Sequence, residues 1–355
     1  MKKIGAFFQI LGFVLCSTLV FGQNKKPERL IIVTIDGLRW QEVFKGLDDE
    51  IIANPNTKGN LKNIKTLYPN REAMMPFFWN ELSKKAGFYG NRDQQSDVKV
   101  SNPYHFSYPG YAELLSGWVD EKVNSNNYPE NTNLNILDVL QSKKSYENQV
   151  VAFGAWNAFA RIFHKSTAKF PVFEAFSTYK NDKSPNVDLL NTMLKNSHKP
   201  WYGNEALDIF THTMAMDYLK TKKPKVAFIG YGETDEWAHS ENYRYYLDAM
   251  KNTDQFLSEI WNFIQTTPEY TDNTVLLITT DHGRGSVKSW GDHGSDVPSA
   301  DEIWFALYYP QLKSTGEVKT SKTIYLKELA PTLLKLIGID PTELSPKTEF
   351  VKELL

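Results

Sequence analysis

Thr274-Val275-Leu276-Leu277-Ile278-Thr279-Thr280-Asp281-His282-Gly283 is a short apolar run, rich in β-branched residues, that stops on an acid, a histidine and a glycine. Its length and composition predict a strand over 274–279 buried on both faces. The pattern recurs upstream. Leu30 to Ile35 meets Asp36-Gly37, and Lys225 to Tyr231 leads shortly to Asp235. Further strand-like runs lie at Gln149 to Gly154 and Ile303 to Tyr309, with amphipathic helical patterns at Tyr243 to Ile264 and Ile324 to Ile337. Strands alternating with helices predict an α/β fold, with a mainly parallel central sheet flanked by helices on both faces. The polar, aromatic-dotted segments 40–100 and 165–205 read as long insertions that form a cap over one end of the sheet.

In an open α/β sheet, ligands bind beyond the carboxyl ends of the strands. Here those ends gather Asp36, Asp235 and Asp281 into one crevice. Crowded carboxylates repel and raise one another's pKa unless a cation neutralises them, so the clustering predicts metal. Three of the seven histidines in the chain fall beside these acids: His239, His282 and His293, the last in Gly291-Asp292-His293-Gly294. Any one of them alone is more often structural. Asp235 and His239 are four apart, which puts them on one helical face. Asp281 and His282 are adjacent and diverge unless a sharp turn at Gly283 and Gly285 lets both reach inward.

Composition narrows what can hold a metal. The chain has 355 residues, 41% of them hydrophobic, with 40 basic and 42 acidic side chains. That near-balance provides no field to draw in a nucleic-acid duplex or an anionic membrane. Lys2 and Lys3, the apolar run Ile4 to Phe21, small Gly22 and the polar Gln23-Asn24-Lys25-Lys26 read as a secretory signal peptide over 1–22. The competing reading is a retained membrane anchor. Cleavage leaves no transmembrane span and a periplasmic or secreted protein. The single cysteine, Cys16, lies within this segment, and the large Leu15 before it does not suit lipidation. The mature chain therefore has neither disulfides nor thiolate ligands. Mixed carboxylate and imidazole donors suit zinc, with manganese or iron as alternatives. Six such side chains are too many for one tetrahedral ion and suit two.

A nucleophile is needed as well. In Asn102-Pro103-Tyr104-His105-Phe106-Ser107-Tyr108-Pro109-Gly110-Tyr111, Ser107 sits at or just before a helix N-terminus, where free N–H groups favour an alkoxide and a phosphate. Its plain alternative is a helix N-cap.

Asp36-Gly37 after a strand, Ser107-Tyr108-Pro109 before a helix, Asp235 with His239, Asp281-His282-Gly283 and His293-Gly294 together resemble the alkaline phosphatase superfamily. The branch they resemble most is the nucleotide pyrophosphatase/phosphodiesterase group. Leu326 to Leu333 is similar to the superfamily's last helix. The resemblance runs in order along nearly the whole mature chain and implies a single catalytic domain over 23–355. It implies one zinc held by Asp36, Asp281 and His282 with Ser107 joining it, and another held by Asp235, His239 and His293. It further implies in-line attack by Ser107 on a small-molecule phosphate ester, a phosphoseryl enzyme and its hydrolysis. In the phosphodiesterase branch an asparagine about twenty residues after the nucleophile binds a phosphoryl oxygen, and Asn126, in Asn124-Ser125-Asn126-Asn127, is the candidate.

The chain departs from that branch at Ser107, where threonine is usual, at Gly110, where asparagine is usual, and at Ala238, where glycine is usual. Sulfatases share the fold but need an arginine where Tyr111 stands. Some phosphate monoesterases carry Lys and Arg near Gly154 to grip a dianion. Here Phe153-Gly154-Ala155-Trp156-Asn157 offers no cation before Arg161, which tilts the reading from monoesters towards diesters. A non-catalytic metal- or ligand-binding protein on the same fold is the alternative of another class. His105, His164, His198 and His212 match no motif and read as structural or surface residues.

Overall fold

The computed structural model describes residues 26–345 and 348–355. The expected signal peptide and Cys16 lie outside these residues. Ten strands are formed: β1 (Arg29–Ile35), β2 (Gly87–Tyr89), β3 (Val98–Lys99), β4 (Val150–Gly154), β5 (Val172–Glu174), β6 (Val226–Tyr231), β7 (Thr274–Thr279), β8 (Phe305–Tyr308), β9 (Gly316–Glu317) and β10 (Ile324–Tyr325). Eight of them build one sheet in the order β5-β4-β6-β1-β7-β8-β2-β9, and β10 pairs with β3 apart from it. The run from β5 to β7 is parallel throughout, whereas β8 lies antiparallel to both β7 and β2. β1 sits at the centre, with Val33 opposite Ile229 of β6 on one side and Ile278 of β7 on the other.

Alternation along β1 explains why its sequence is apolar without a break. Ile31, Val33 and Ile35 enter a core on one face, with the helix Tyr243–Thr266 and residues Phe77, Phe78, Trp79 and Phe88. Leu30 and Ile32 enter the core on the other face, with the helices Ser107–Ser116, Ile136–Gln141 and Leu329–Leu336. Both faces are covered, as a strand buried throughout requires.

The expected strands match the observed ones to within two residues at each end. The pattern over 324–337 is divided, because β10 and a short 3-10 turn precede the helix Leu329–Leu336. Parts of the two expected insertions enter the sheet itself: segment 40–100 supplies β2, and segment 165–205 supplies the edge strand β5. The first is also stitched into the core. Buried Asp254, on the Tyr243–Thr266 helix, accepts the Phe77 and Phe78 N–H groups at 2.9 and 2.8 Å, capping the short helix Pro76–Asn80.

Asp254→Ala leaves both donors buried and unpaired. It is expected to destabilise the fold by about 2–3 kcal/mol, read by urea unfolding, with kcat little changed because Asp254 lies away from the strand ends.

Candidate metal centre and active site

The carboxyl ends of β1, β6 and β7 place the predicted acids together. Asp36 directly follows β1, and Asp281 follows β7 after Thr280. After β6 the chain turns at Gly232 into the helix Glu233–His239, which carries Asp235 and His239 one turn apart with His239 Nε2 3.1 Å from Asp235 Oδ2. Donor atoms converge in two groups, each with its atoms within 4.8 Å of one another: Asp36, Asp281 and His282 in one, Asp235, His239 and His293 in the other. The first group is buried. The second opens to solvent through His239.

Close packing, not a special dihedral angle, makes Gly283 necessary, because a β-carbon there would stand 2.2 Å from the Glu302 carbonyl oxygen. Gly37 is needed on both counts. Its φ is +56°, and a β-carbon would meet Arg284 and Asp235, each at 2.6 Å. Gly110 has a similar reason, since a β-carbon there would lie 2.3 Å from the Asp281 carbonyl oxygen. The helix that begins at Ser107 thus rests directly on the β7 end.

Ser107 is the first residue of the ten-residue helix Ser107–Ser116, and Phe106 is its N-cap. Its hydroxyl turns to the first donor group, with Oγ 3.5 Å from Asp36 Oδ1 and 3.3 Å from His282 Nε2. Asn126 lies beside it: its Oδ1 accepts the Tyr108 N–H at 2.9 Å, which leaves the amide nitrogen as its donor. The loop bearing Asn126 is held by Arg161, which donates to the carbonyls of Tyr128 at 2.5 Å and Asn126 at 3.0 Å.

Charge in this crevice is costly without a cation. Burial, and then the charge of Asp235, raise the Asp36 pKa. Burial and the charge of Asp36 push Asp281 well above the usual carboxylate range. Asp235 goes the other way: burial opposes its charge, but His239 and Arg284 hold it well below that range. Burial works against the charge of His282 too, yet Asp281 and Asp36 push its pKa up to about 9. His293, buried and close to His282, is held well below the usual imidazole value.

These residues fit divalent cations. Asp281 Oδ2 and His293 Nδ1 are buried and lack a hydrogen-bond partner among the described residues. His282 Nδ1 lies 2.9 Å from the Gly283 carbonyl oxygen, an arrangement that fixes the ring and aims Nε2 at Asp36 and Ser107.

Two further side chains enter the site: Arg284, which carried no signal in the sequence, and Tyr111, which the sequence marked only as standing where a sulfatase has arginine. Arg284, 1% exposed, pairs with Asp235, donates to the carbonyls of Trp290 and Gly291, and lies 3.4 Å from His239 Nδ1. Tyr111 donates its hydroxyl to Asp36 Oδ2 at 2.9 Å. Of the histidines that match no motif, His164 pairs with Asp138 and His212 with Tyr231 and Glu259, all away from the crevice. His105, two residues before Ser107, adopts a left-handed φ of 52°.

A profile of the Metalloenzyme superfamily matches residues 107–341, and the chain belongs to that superfamily, whose members hold divalent metal ions. No curated protein matches the sequence. Similar solved structures include BT1596, a 2-O GAG sulfatase, at 17% identity and a TM-score of 0.55, covering 89% of this chain and 71% of that one. A protein in the alkaline phosphatase superfamily from Vibrio parahaemolyticus is similar at 13% identity and a TM-score of 0.50, covering 89% and 67%. The phosphonate monoester hydrolase SpPMH from Silicibacter pomeroyi is similar at 14% identity and a TM-score of 0.51, covering 87% and 73%. The architecture is alkaline-phosphatase-like, as the sequence resemblance implies.

The folded-state pKa of His282 lies above its ordinary value of 6.5, so its share of stability is complete below pH 6.5 and is lost as pH rises towards about 9. Raised Asp36 and Asp281 act in the same direction. Metal-free protein is therefore expected to lose melting temperature from pH 6.5 to 9, and saturating zinc to flatten that slope. In EDTA at pH 8, Asp281→Asn is expected to melt about 2–5 °C higher than wild type, and to lose most of the rise that zinc gives. Scanning calorimetry with EDTA or zinc checks both.

Proposed function

We propose that the chain hydrolyses phosphoric diesters outside the cytoplasm, with Ser107 as nucleophile and two zinc ions, one per donor group, in the manner of the phosphodiesterase branch. The observation that carries this reading is the aim of Ser107 Oγ, from the first turn of its helix, at the Asp36–Asp281–His282 group. Metal ions, when bound there, would neutralise the carboxylates and polarise the phosphoryl oxygens. Ser107 Oγ loses its proton and attacks phosphorus, the ester oxygen opposite it leaves with its electron pair and takes up a proton, and a phosphoseryl ester forms. Water then attacks the same phosphorus and returns Ser107. Asn126 offers its amide N–H groups to a phosphoryl oxygen, and the Tyr108 N–H fixes its orientation. The second donor group, open to solvent through His239, faces the departing alcohol.

Diesters are favoured by the placement of positive charge. Arg161 is engaged with the carbonyls of Asn126 and Tyr128, and Arg284 with Asp235 and two carbonyls, so neither guanidinium is offered to the extra charge of a monoester dianion. The sulfatase chemistry found on this fold resembles the site less well. Tyr111 stands where the modification motif has arginine, and its hydroxyl is committed to Asp36. The apolar leader over 1–22 supports export.

Metal-loaded protein is expected to give a kcat/KM at least about tenfold higher on bis-p-nitrophenyl phosphate than on p-nitrophenyl phosphate, with no turnover of p-nitrophenyl sulfate. Ser107→Ala is expected to cost about 10³-fold or more while retaining its metal, and Asn126→Ala about 10- to 100-fold in kcat. Preference for the monoester, or for the sulfate, would assign the site to that chemistry instead. Equal rates in wild type and Ser107→Ala would leave a binding protein.

A further inference from the structure

The helix Ile136–Gln141 and the segment 164–169 border a cavity of about 440 Å³ that the chemistry above does not use. Its size is within the roughly 300–1,000 Å³ of small-molecule sites. None of the six metal-donor residues lines it.

The walls are fixed before any ligand arrives. Asp138 Oδ2 accepts the Asn135 N–H at 3.1 Å as part of the helix cap, and Oδ1 lies 3.1 Å from His164 Nε2. The other ring nitrogen, Nδ1, lies 2.9 Å from the Asn131 carbonyl oxygen. These contacts hold His164 at a left-handed φ of 34°, a conformation that persists only where its surroundings impose it. Glu130 accepts the Ser166 N–H at 3.1 Å and the Ser166 hydroxyl. Each of these pairs is complete in itself. Gln141 is not. It ends its helix, is 9% exposed and lines the cavity, yet its Oε1 has no hydrogen-bond partner among the described residues. A buried carbonyl oxygen without a donor is costly, and a ligand in the cavity can supply one.

The lining offers mostly acceptors. Ser142 already donates to the Val139 carbonyl at 2.7 Å and Thr167 to the His164 carbonyl at 3.3 Å, so each hydroxyl presents only lone pairs. The carboxylates of Glu130 and Asp138 and the Gln141 carbonyl add to them. The matching ligand is rich in donors, and charge decides which kind. Both ring nitrogens of His164 face acceptors, so the ring carries a proton on each, and the hydrogen bond to Asp138 raises its pKa. His164 and Lys169 then offset Glu130 and Asp138, which leaves the lining without net charge. A cation is not selected there, and a neutral polyhydroxy compound is. Leu134, 46% exposed at the rim, provides an apolar surface for the C–H face of a sugar ring.

We propose that this cavity is a carbohydrate-binding site, separate from the metal centre, in which Gln141, Glu130 and Asp138 accept from sugar hydroxyls and Leu134 packs against the ring. The site is independent of the reaction assigned to Ser107.

The test titrates metal-loaded protein with glucose, galactose, mannose, N-acetylglucosamine and their methyl glycosides, by saturation-transfer NMR and then calorimetry. Choline and citrate are the charged comparisons. At least one sugar is expected to bind with a Kd of about 1 mM or below, and neither charged compound to displace it. Gln141→Leu and Leu134→Asp are each expected to weaken that binding about tenfold or more, with kcat/KM on bis-p-nitrophenyl phosphate unchanged. Folding is not at risk in the first, because leucine removes an unpaired polar group from a buried position; its urea midpoint is expected at or above that of wild type. No binding across the panel, or binding unchanged in both variants, overturns the site. Binding that survives both variants but is lost in Asp281→Asn places the sugar at the metal centre and overturns it as well. Tighter binding of choline or citrate overturns the ligand class. Turnover of no ester, alongside sugar binding that is lost in Gln141→Leu, rejects the diesterase reading and keeps the site.

Discussion

Repulsion among buried carboxylates is the constraint around which the rest of this structure is arranged. Asp36 and Asp281 come together because β1 and β7 are adjacent parallel strands that end at the same level, and Asp235 joins them from the helix after β6, on the other side of β1. No rearrangement of side chains separates them, since each is fixed within a few residues of a strand end buried on both faces. The fold therefore has to neutralise them. Part of that task falls to the chain itself: Arg284 pairs with Asp235, His282 is drawn towards its charged form by Asp281 and Asp36, and the Tyr111 hydroxyl is donated to Asp36. What remains, at Asp281 Oδ2 and among the converging imidazoles, is the part that divalent cations are suited to complete.

The same constraint orders the chemistry. The group against Ser107 is buried and rich in carboxylate, whereas the Asp235 group carries two imidazoles and a neighbouring guanidinium and reaches solvent. Under the proposed function, that asymmetry would set the attacking hydroxyl on the enclosed side and the departing alcohol on the open side. Structures with this fold include a sulfatase and a phosphonate monoester hydrolase, so the scaffold alone does not choose between reactions. In the proposed reading, a handful of side chains around the acids makes the choice, chiefly Tyr111, Asn126, and the commitments of Arg161 and Arg284.

Much of this could be read from the sequence, for a simple reason. Strands buried on both faces must be apolar throughout, so β1, β4, β6 and β7 stand out as runs, and acids at their ends stand out against them. The i, i+4 spacing of Asp235 and His239 and the position of Ser107 at a helix start needed only local geometry. Segment 40–100 was opaque because its strand β2 has three residues, too few for a period, and its short helices depend on tertiary caps such as Asp254. Arg284 gave no signal at all. It is a lone basic residue between two glycines, and it acquires meaning only from what the fold sets opposite it, Asp235.

The two-ion reading stands most directly on where metal lies in the folded protein. Anomalous diffraction at the zinc edge, from crystals of zinc-loaded protein, locates each ion without relying on activity. Two peaks are predicted, one among Asp36, Asp281, His282 and Ser107, and one among Asp235, His239 and His293, with His282 bound through Nε2. Carboxylates of Asp36 and Asp281 left without a cation, or a single ion away from both groups, would contradict it.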